Sequence, residues 1–192
     1  KDAFTMLHAQ CMRHVWQLAL SPDGQSVAYT LDGGETWVSS TGGETDDRLV
    51  LDRGWVGQLT WSPDGRELRF LAVDERGITQ VWRLPLGPGG RAETVTAQRS
   101  DVVEYAFSRD GRFLYVCIFE PGRLAKVDTA AKTIVKTIDV GPSALRHVVL
   151  HPSRDVLYVS DLLGGRVFAI DAAADRVAAR AFVDHSLNTL RD

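Results

Sequence analysis

Cysteine is nearly missing from this chain: Cys11 and Cys117 are the two among 192 residues. Two thiols cannot build a disulfide framework, and their spacing matches no paired metal-ligand motif. Cys117 sits inside the apolar run Phe113-Leu-Tyr-Val-Cys-Ile-Phe119, where a small buried hydrophobe is expected. Long apolar runs are also missing. None approaches the length that crosses a bilayer, and Lys1 to Arg13 lacks the continuous apolar stretch of a signal peptide. Neither sign of charge is in excess. A net charge of −3 supplies no bulk basic field for nucleic acid or an anionic membrane. No window carries a persuasive helical period. What is present is 44% hydrophobic and 24% charged residues, the balance of a globular chain rather than a disordered or fibrous one.

A repeat stands out against this background. Ser21-Pro-Asp-Gly24 recurs as Ser62-Pro-Asp-Gly65, as Ser108-Arg-Asp-Gly111 and, degenerate, as His151-Pro-Ser-Arg154. The tetrads start 41, 46 and 43 residues apart. Each follows an apolar segment: 16–20, 58–61, 103–107 and 147–150. Each precedes another: 26–29, 67–71, 113–116 and 156–159. Asp-Gly between two alternating runs is a hairpin signal, because glycine accepts the positive φ that closes the turn. Proline ahead of it fixes φ where no N–H is needed. The fourth tetrad lacks Asp-Gly, so a different turn is expected there.

Two further strands follow in every block. The third strands are 36–39, 80–84, 124–127 and 166–170; the fourth are 48–51, 92–95, 133–138 and 176–183. Residues 171–182 are rich in alanine and could read as a short helix, but they align with the strand–turn–strand at 128–135. Four short strands every 41–46 residues are the signature of propeller blades, whose sheets bury both faces against their neighbours. The expected fold is therefore all-β: a β-propeller of four-stranded antiparallel blades.

The first two blocks resemble the propeller repeats of the TolB and dipeptidyl-peptidase type, through Leu20-Ser-Pro-Asp-Gly24, Trp61-Ser-Pro-Asp-Gly65 and the third strands around Trp37 and Trp82. The last two resemble the YVTN propeller repeats, through Phe113-Leu-Tyr-Val116, Val156-Leu-Tyr-Val-Ser160 and Gly164-Gly-Arg-Val-Phe-Ala-Ile-Asp171. No block has the Gly-His and Trp-Asp of the WD40 signature. The resemblance implies a propeller in a periplasmic or secreted setting and says little of function, because such propellers host many unrelated activities.

The expected organisation is an N-terminal segment 1–14, a candidate seam strand, then four blades at 15–52, 53–98, 99–141 and 142–183, then 184–192. The last segment lines up with 143–149 as the first strand of a further blade. On this reading the ring is incomplete. It would be completed by more of the same chain, by a second copy or another chain, or by the terminal segments as a seam.

Catalytic motifs are scarce. No serine has the Gly-x-Ser-x-Gly context of a nucleophile elbow, and Ser21, Ser62 and Ser108 are expected to serve their turns. His147 and His151 lie on the order of 13 Å apart along one strand, too far for one metal. No calcium-loop spacing, paired-cysteine motif or glycine-rich phosphate cradle occurs. No cofactor, metal or catalytic residue is therefore assigned. The five tryptophans mostly fall on strand columns, where core packing is the default. Trp55 is the exception, an aromatic in the glycine-flanked loop Arg53-Gly-Trp-Val-Gly57.

Loops on a rigid scaffold are where function concentrates. In propellers the loops from fourth to next first strand, and from second to third, gather on one face. Candidate binding residues on that face are Trp55, Arg53, Arg99, Arg146, His147 and His185. The expected function is a binding scaffold without catalysis of its own, taking a protein or small-molecule ligand on the loop face. One alternative is a substrate-gating propeller portion of a prolyl-oligopeptidase-type serine hydrolase. Another is a propeller oxidoreductase or lyase with a channel-bound cofactor near Arg146, His147 or Asn188.

Overall fold

In a computed structural model, residues 14–32, 34–42, 48–52, 54–118, 123–141 and 144–182 are described. They form sixteen strands, and no helix occurs among them. The strands are β1 (Val15–Leu20), β2 (Ser26–Leu31), β3 (Glu35–Ser40), β4 (Arg48–Asp52), β5 (Gly57–Trp61), β6 (Glu67–Val73), β7 (Thr79–Pro85) and β8 (Glu93–Thr94). They continue as β9 (Val102–Phe107), β10 (Phe113–Ile118), β11 (Arg123–Asp128), β12 (Thr133–Asp139), β13 (Leu145–Leu150), β14 (Val156–Asp161), β15 (Arg166–Asp171) and β16 (Arg176–Phe182). Four sheets result, each of four consecutive strands in chain order. The alanine-rich stretch is the hairpin of β15 and β16, as its alignment with β11 and β12 required. Contacts divide the chain into two compact units, Lys1–Phe70 with Leu84–Ala92, and Leu71–Arg83 with Glu93–Asp192.

The tetrads build the β1–β2, β5–β6 and β9–β10 hairpins by one device. The N–H of Gly24, Gly65 and Gly111 donates to the carbonyl of Ser21, Ser62 and Ser108, at 2.9 Å in each. Each serine hydroxyl donates to the aspartate two residues on, at 2.6, 2.5 and 2.6 Å. The same hydroxyl accepts the N–H of the next strand's first residue, at 2.9, 3.0 and 2.9 Å. The serine hydroxyl and then a backbone N–H hold Asp23, Asp64 and Asp110 below the usual carboxylate range.

The glycines have φ near +70°, as expected, but each is the fourth residue of its turn. Asp-Gly is therefore not a two-residue hairpin loop. Glycine in fourth place, with proline second in the first two tetrads, selects the wider turn. A Cβ at Gly24 would meet nothing within 4 Å. Gly24→Ala is therefore expected to destabilise through φ alone, by about 1–2 kcal/mol, measured as a shift of the urea midpoint. The fourth tetrad does differ. His151 Nδ1 accepts the N–H groups of Ser153 and Arg154, at 3.1 and 3.2 Å, and no residue of 151–155 has positive φ.

Within the second unit the third sheet is buried on both faces, which explains the unbroken apolar run of β10. Leu114 and Val116, with Val102 and Tyr105, pack on Leu71, Val81 and Val95 of the second sheet. Tyr115 and Cys117, with Leu124 and Ile138, pack on Leu145, Val148, Leu157, Val159, Phe168 and Ile170 of the fourth. Cys117 is fully buried with a free thiol, and burial pushes its pKa up, so it is a core residue. In the first unit, Ala28, Thr30 and Thr36 bury one face of the first sheet, and the Trp61 indole donates to Ala19 O at 2.9 Å.

Candidate functional site

Loops joining second to third strands meet the segments leading into first strands. Asp32 N donates to His14 O at 3.0 Å. Gly34 lies so close to the Gly54 backbone that no Cβ fits. Arg76 is held by Asp74, at 2.9 and 2.7 Å, and reaches Gln98 O at 3.0 Å. Asp101 accepts the Thr79 N–H at 2.7 Å. In the fourth sheet Leu162 N donates to Ala144 O at 2.9 Å, and Ala144 N donates to Asp161 at 3.1 Å. Within each unit, then, the two loop sets share an end of the sheets.

Trp55 stands at this end of the first unit, just before β5. Its indole lies over Gly57, where a Cβ would fall on the ring. It is 60% exposed. With Trp16, Thr30, Asp32, Gly34 and Val56 it lines a hollow of about 430 Å³. Trp16 corrects the expectation of core packing: it is 72% exposed, at the register shift between Val15 and Gln17 where β1 falls out of step with β2. Thr30 is buried, and its hydroxyl has no partner among the described protein groups. A buried hydroxyl without a partner is costly, so a polar group of a ligand or a water would be favoured there. Two exposed indoles around a small polar base suit an apolar or planar group.

The other expected site residues are not brought to this hollow. Arg99 and Arg146 are exposed residues of the second unit. His147 is exposed as well, with Nδ1 2.6 Å from Glu104 Oε2 on β9. Arg53 and His185 lie outside the described residues, as does Asn188.

A second hollow, of about 460 Å³, opens between the third and fourth sheets beside Lys126. Lys126 is a buried lysine on an inner strand. Its Nζ lies 2.8 Å from Asp175 Oδ1, 3.3 Å from Ala172 O and 4.4 Å from the Phe113 ring centroid. Burial opposes its charge, but Asp175 and Tyr115 outweigh burial and hold its pKa above the ordinary value. Its donors are engaged internally, so it is a structural cation. A lysine in the otherwise apolar run Leu124-Ala-Lys-Val127 was the sequence signal for it. Among the described residues no group of His, Cys, Asp and Glu is placed to hold a metal, and no helix is long and apolar enough to cross a membrane.

No family model matches the chain, and no curated protein does. Solved structures match over most of its length. Hydrazine synthase of Kuenenia stuttgartiensis aligns at TM-score 0.67 and 19% identity, over 86% of this chain and 48% of that one. A chain of a nidogen/laminin complex aligns at 0.66 and 19%, over 92% of this chain and 66% of that one. A chain of a mitotic checkpoint complex aligns at 0.67 and 14%, over 88% and 51%. The chain is a β-propeller repeat protein. It spans from about half to two-thirds of the length of these neighbours. At such identities the likeness establishes the propeller fold, built here from four-stranded antiparallel blades.

Proposed function

We propose that this propeller chain is a binding scaffold whose ligand face is the loop end carrying Trp55. The observation behind this reading is the hollow of about 430 Å³ in which two exposed indoles flank the buried, unpartnered Thr30 hydroxyl. Tryptophan in a concave site is a favoured binding anchor, because a rigid ring offers a large contact at low entropic cost. Two of the structural neighbours belong to protein complexes, nidogen with laminin and the mitotic checkpoint assembly, which supports a protein segment as ligand. Arg53, Arg99, Arg146, His147 and His185 are further candidate contact residues in this reading. The repeats are of TolB type in the first half and YVTN type in the second.

The test is a random-peptide selection on the wild-type chain, followed by affinity measurement on Trp55→Ala. Loss of a central indole anchor is expected to weaken selected peptides at least about tenfold. Because Trp55 is exposed, folding stability should move by no more than about 0.5 kcal/mol. Peptide affinity that survives the substitution would remove Trp55 from the site.

A further inference from the structure

The five tryptophans divide by what their indole N–H groups do. Trp37 donates to Glu35 Oε2, Trp61 to Ala19 O and Trp82 to Ala72 O, each at 2.9 Å. Trp16 and Trp55, the two that line the hollow of the first unit, donate to no protein group among the described residues. The Thr30 hydroxyl at the same hollow shares that state, and Thr30 is only 2% exposed. An exposed indole can turn its N–H to water, but a buried hydroxyl without an acceptor is costly. The hollow therefore gathers three unused donors between two apolar ring faces. The Gln17 amide and the Asp32 carboxylate complete its polar lining.

These groups restrict the occupant. A cation brings donors only and would leave the hydroxyl and both N–H groups unmatched. A carboxylate or phosphate would accept from them, but it would meet the Asp32 charge, like against like. The chemistry that fits is a neutral acceptor flanked by apolar surface. In a protein segment that description matches proline, whose ring is apolar and whose residue offers a carbonyl acceptor and no N–H. Consecutive prolines adopt the polyproline II helix. Its carbonyls make no internal hydrogen bonds, and its shape is set before binding, so little entropy is lost on docking against aromatic rings. Size agrees: a hollow of about 430 Å³ is on the order of 9 Å across, one polyproline II turn of three residues at about 3.1 Å each.

We propose that the Trp16–Trp55 hollow takes a proline-rich segment of a partner protein, held as a polyproline II turn; this rests on the scaffold reading above and names its ligand class. The rings of Trp16 and Trp55 pack on proline rings, and their N–H groups and the Thr30 hydroxyl donate to the segment's carbonyls. The probe is decaproline, titrated calorimetrically into the chain against a Gly-Ser peptide of equal length. Decaproline is expected to bind where the Gly-Ser peptide does not. Trp16→Phe keeps an aromatic face and removes the N–H, and it should weaken decaproline at least about threefold. Thr30→Val should weaken it by a similar factor while the urea midpoint stays or rises, because a methyl replaces a buried hydroxyl that has no protein partner. A hydroxyl with a merely structural role would lower the midpoint instead. Trp16 is exposed, so Trp16→Phe supplies the answer if Thr30→Val fails to fold. Decaproline binding no tighter than that of the Gly-Ser peptide, or unchanged by both substitutions, would overturn the proposal. So would binding of cellohexaose in place of decaproline, which would assign the hollow to a glycan. The scaffold reading fails separately: selected peptides that need Trp55 but contain no proline would overturn the ligand class alone, and peptides indifferent to Trp55 would overturn both.

Discussion

Phe168→Ala is expected to cost about 3–5 kcal/mol of folding stability. Phe168 lies on β15 in the cluster that joins the third and fourth sheets, among Leu145, Val148, Leu157 and Ile170 from its own sheet and Tyr115, Cys117, Leu124 and Ile138 from the third. Its ring is buried, and the Arg166 guanidinium stacks 5.5 Å from its centroid. Truncation removes the burial of an aromatic ring and leaves a cavity between two sheets, which interleaved strands cannot close by a small shift. Guanidinium denaturation followed by far-UV circular dichroism reads the loss as a lower midpoint at unchanged slope. Leu18→Ala is the control within the same molecule. That side chain is exposed, and its loss should change stability by no more than about 0.5 kcal/mol. Similar losses at the two positions would mean that the cluster is not packed as described.

Asp161→Ala is expected to cost a similar amount, about 3–5 kcal/mol, for an electrostatic reason. The Asp161 side chain is buried at the end of β14. It accepts from Arg166 Nε and Nη2 at 2.9 and 2.6 Å, from the Ala144 N–H at 3.1 Å and from the Leu163 N–H at 3.2 Å. The carboxylate thus ties the β14–β15 loop to the start of β13, and alanine deletes four charge-assisted bonds at once. The packing is tight enough that Gly164 has no room for a Cβ beside Asp161 and Arg166.

A pH dependence follows. Burial pushes the Asp161 pKa up, but Arg166 and then the Gly164 and Ala144 N–H groups outweigh it and hold it below the ordinary carboxylate value. A carboxyl with a lowered folded pKa contributes fully above its unfolded value of about 3.9 and loses that contribution as pH falls through the folded value. The stability gap between wild type and Asp161→Asn should therefore be constant near neutrality and shrink in acid. A gap that widens below pH 4 would contradict the assigned ion pair.

Strands and turns were legible because their signals are local. Alternation with proline, Asp-Gly or both marks each tetrad hairpin within about ten residues, and fifteen of the sixteen strands run at least as far as five residues. β8 is the short one, two residues where four were expected, because Thr96 and Gln80 take over the edge. Thr96 Oγ1 accepts the Val81 N–H at 2.9 Å and donates to Gln80 Oε1 at 2.8 Å. The site was legible only in part. Trp55 could be singled out because it sits in a glycine-flanked loop with no strand column. Trp16 reads as an ordinary strand aromatic, and only the register shift at the start of β1 and the neighbouring Trp55 loop bring it to the hollow. Thr30 shows nothing in sequence, since an unpartnered hydroxyl is defined by what surrounds it.

The opening scarcities still hold for what they constrain. With two cysteines and no metal-type spacing, the chain depends on apolar packing, and its repeat of 41–46 residues determined that the packing would occur between four-stranded sheets. That much is encoded residue by residue, because pleat, turn and period are properties of neighbouring residues. Which face of each sheet is covered was decided by the tertiary structure. Leu18 and Val148 occupy one column of the repeat, yet one is exposed and the other buried. Burial depends on a neighbouring sheet far along the chain or on another chain, and no local pattern records whether that neighbour is there.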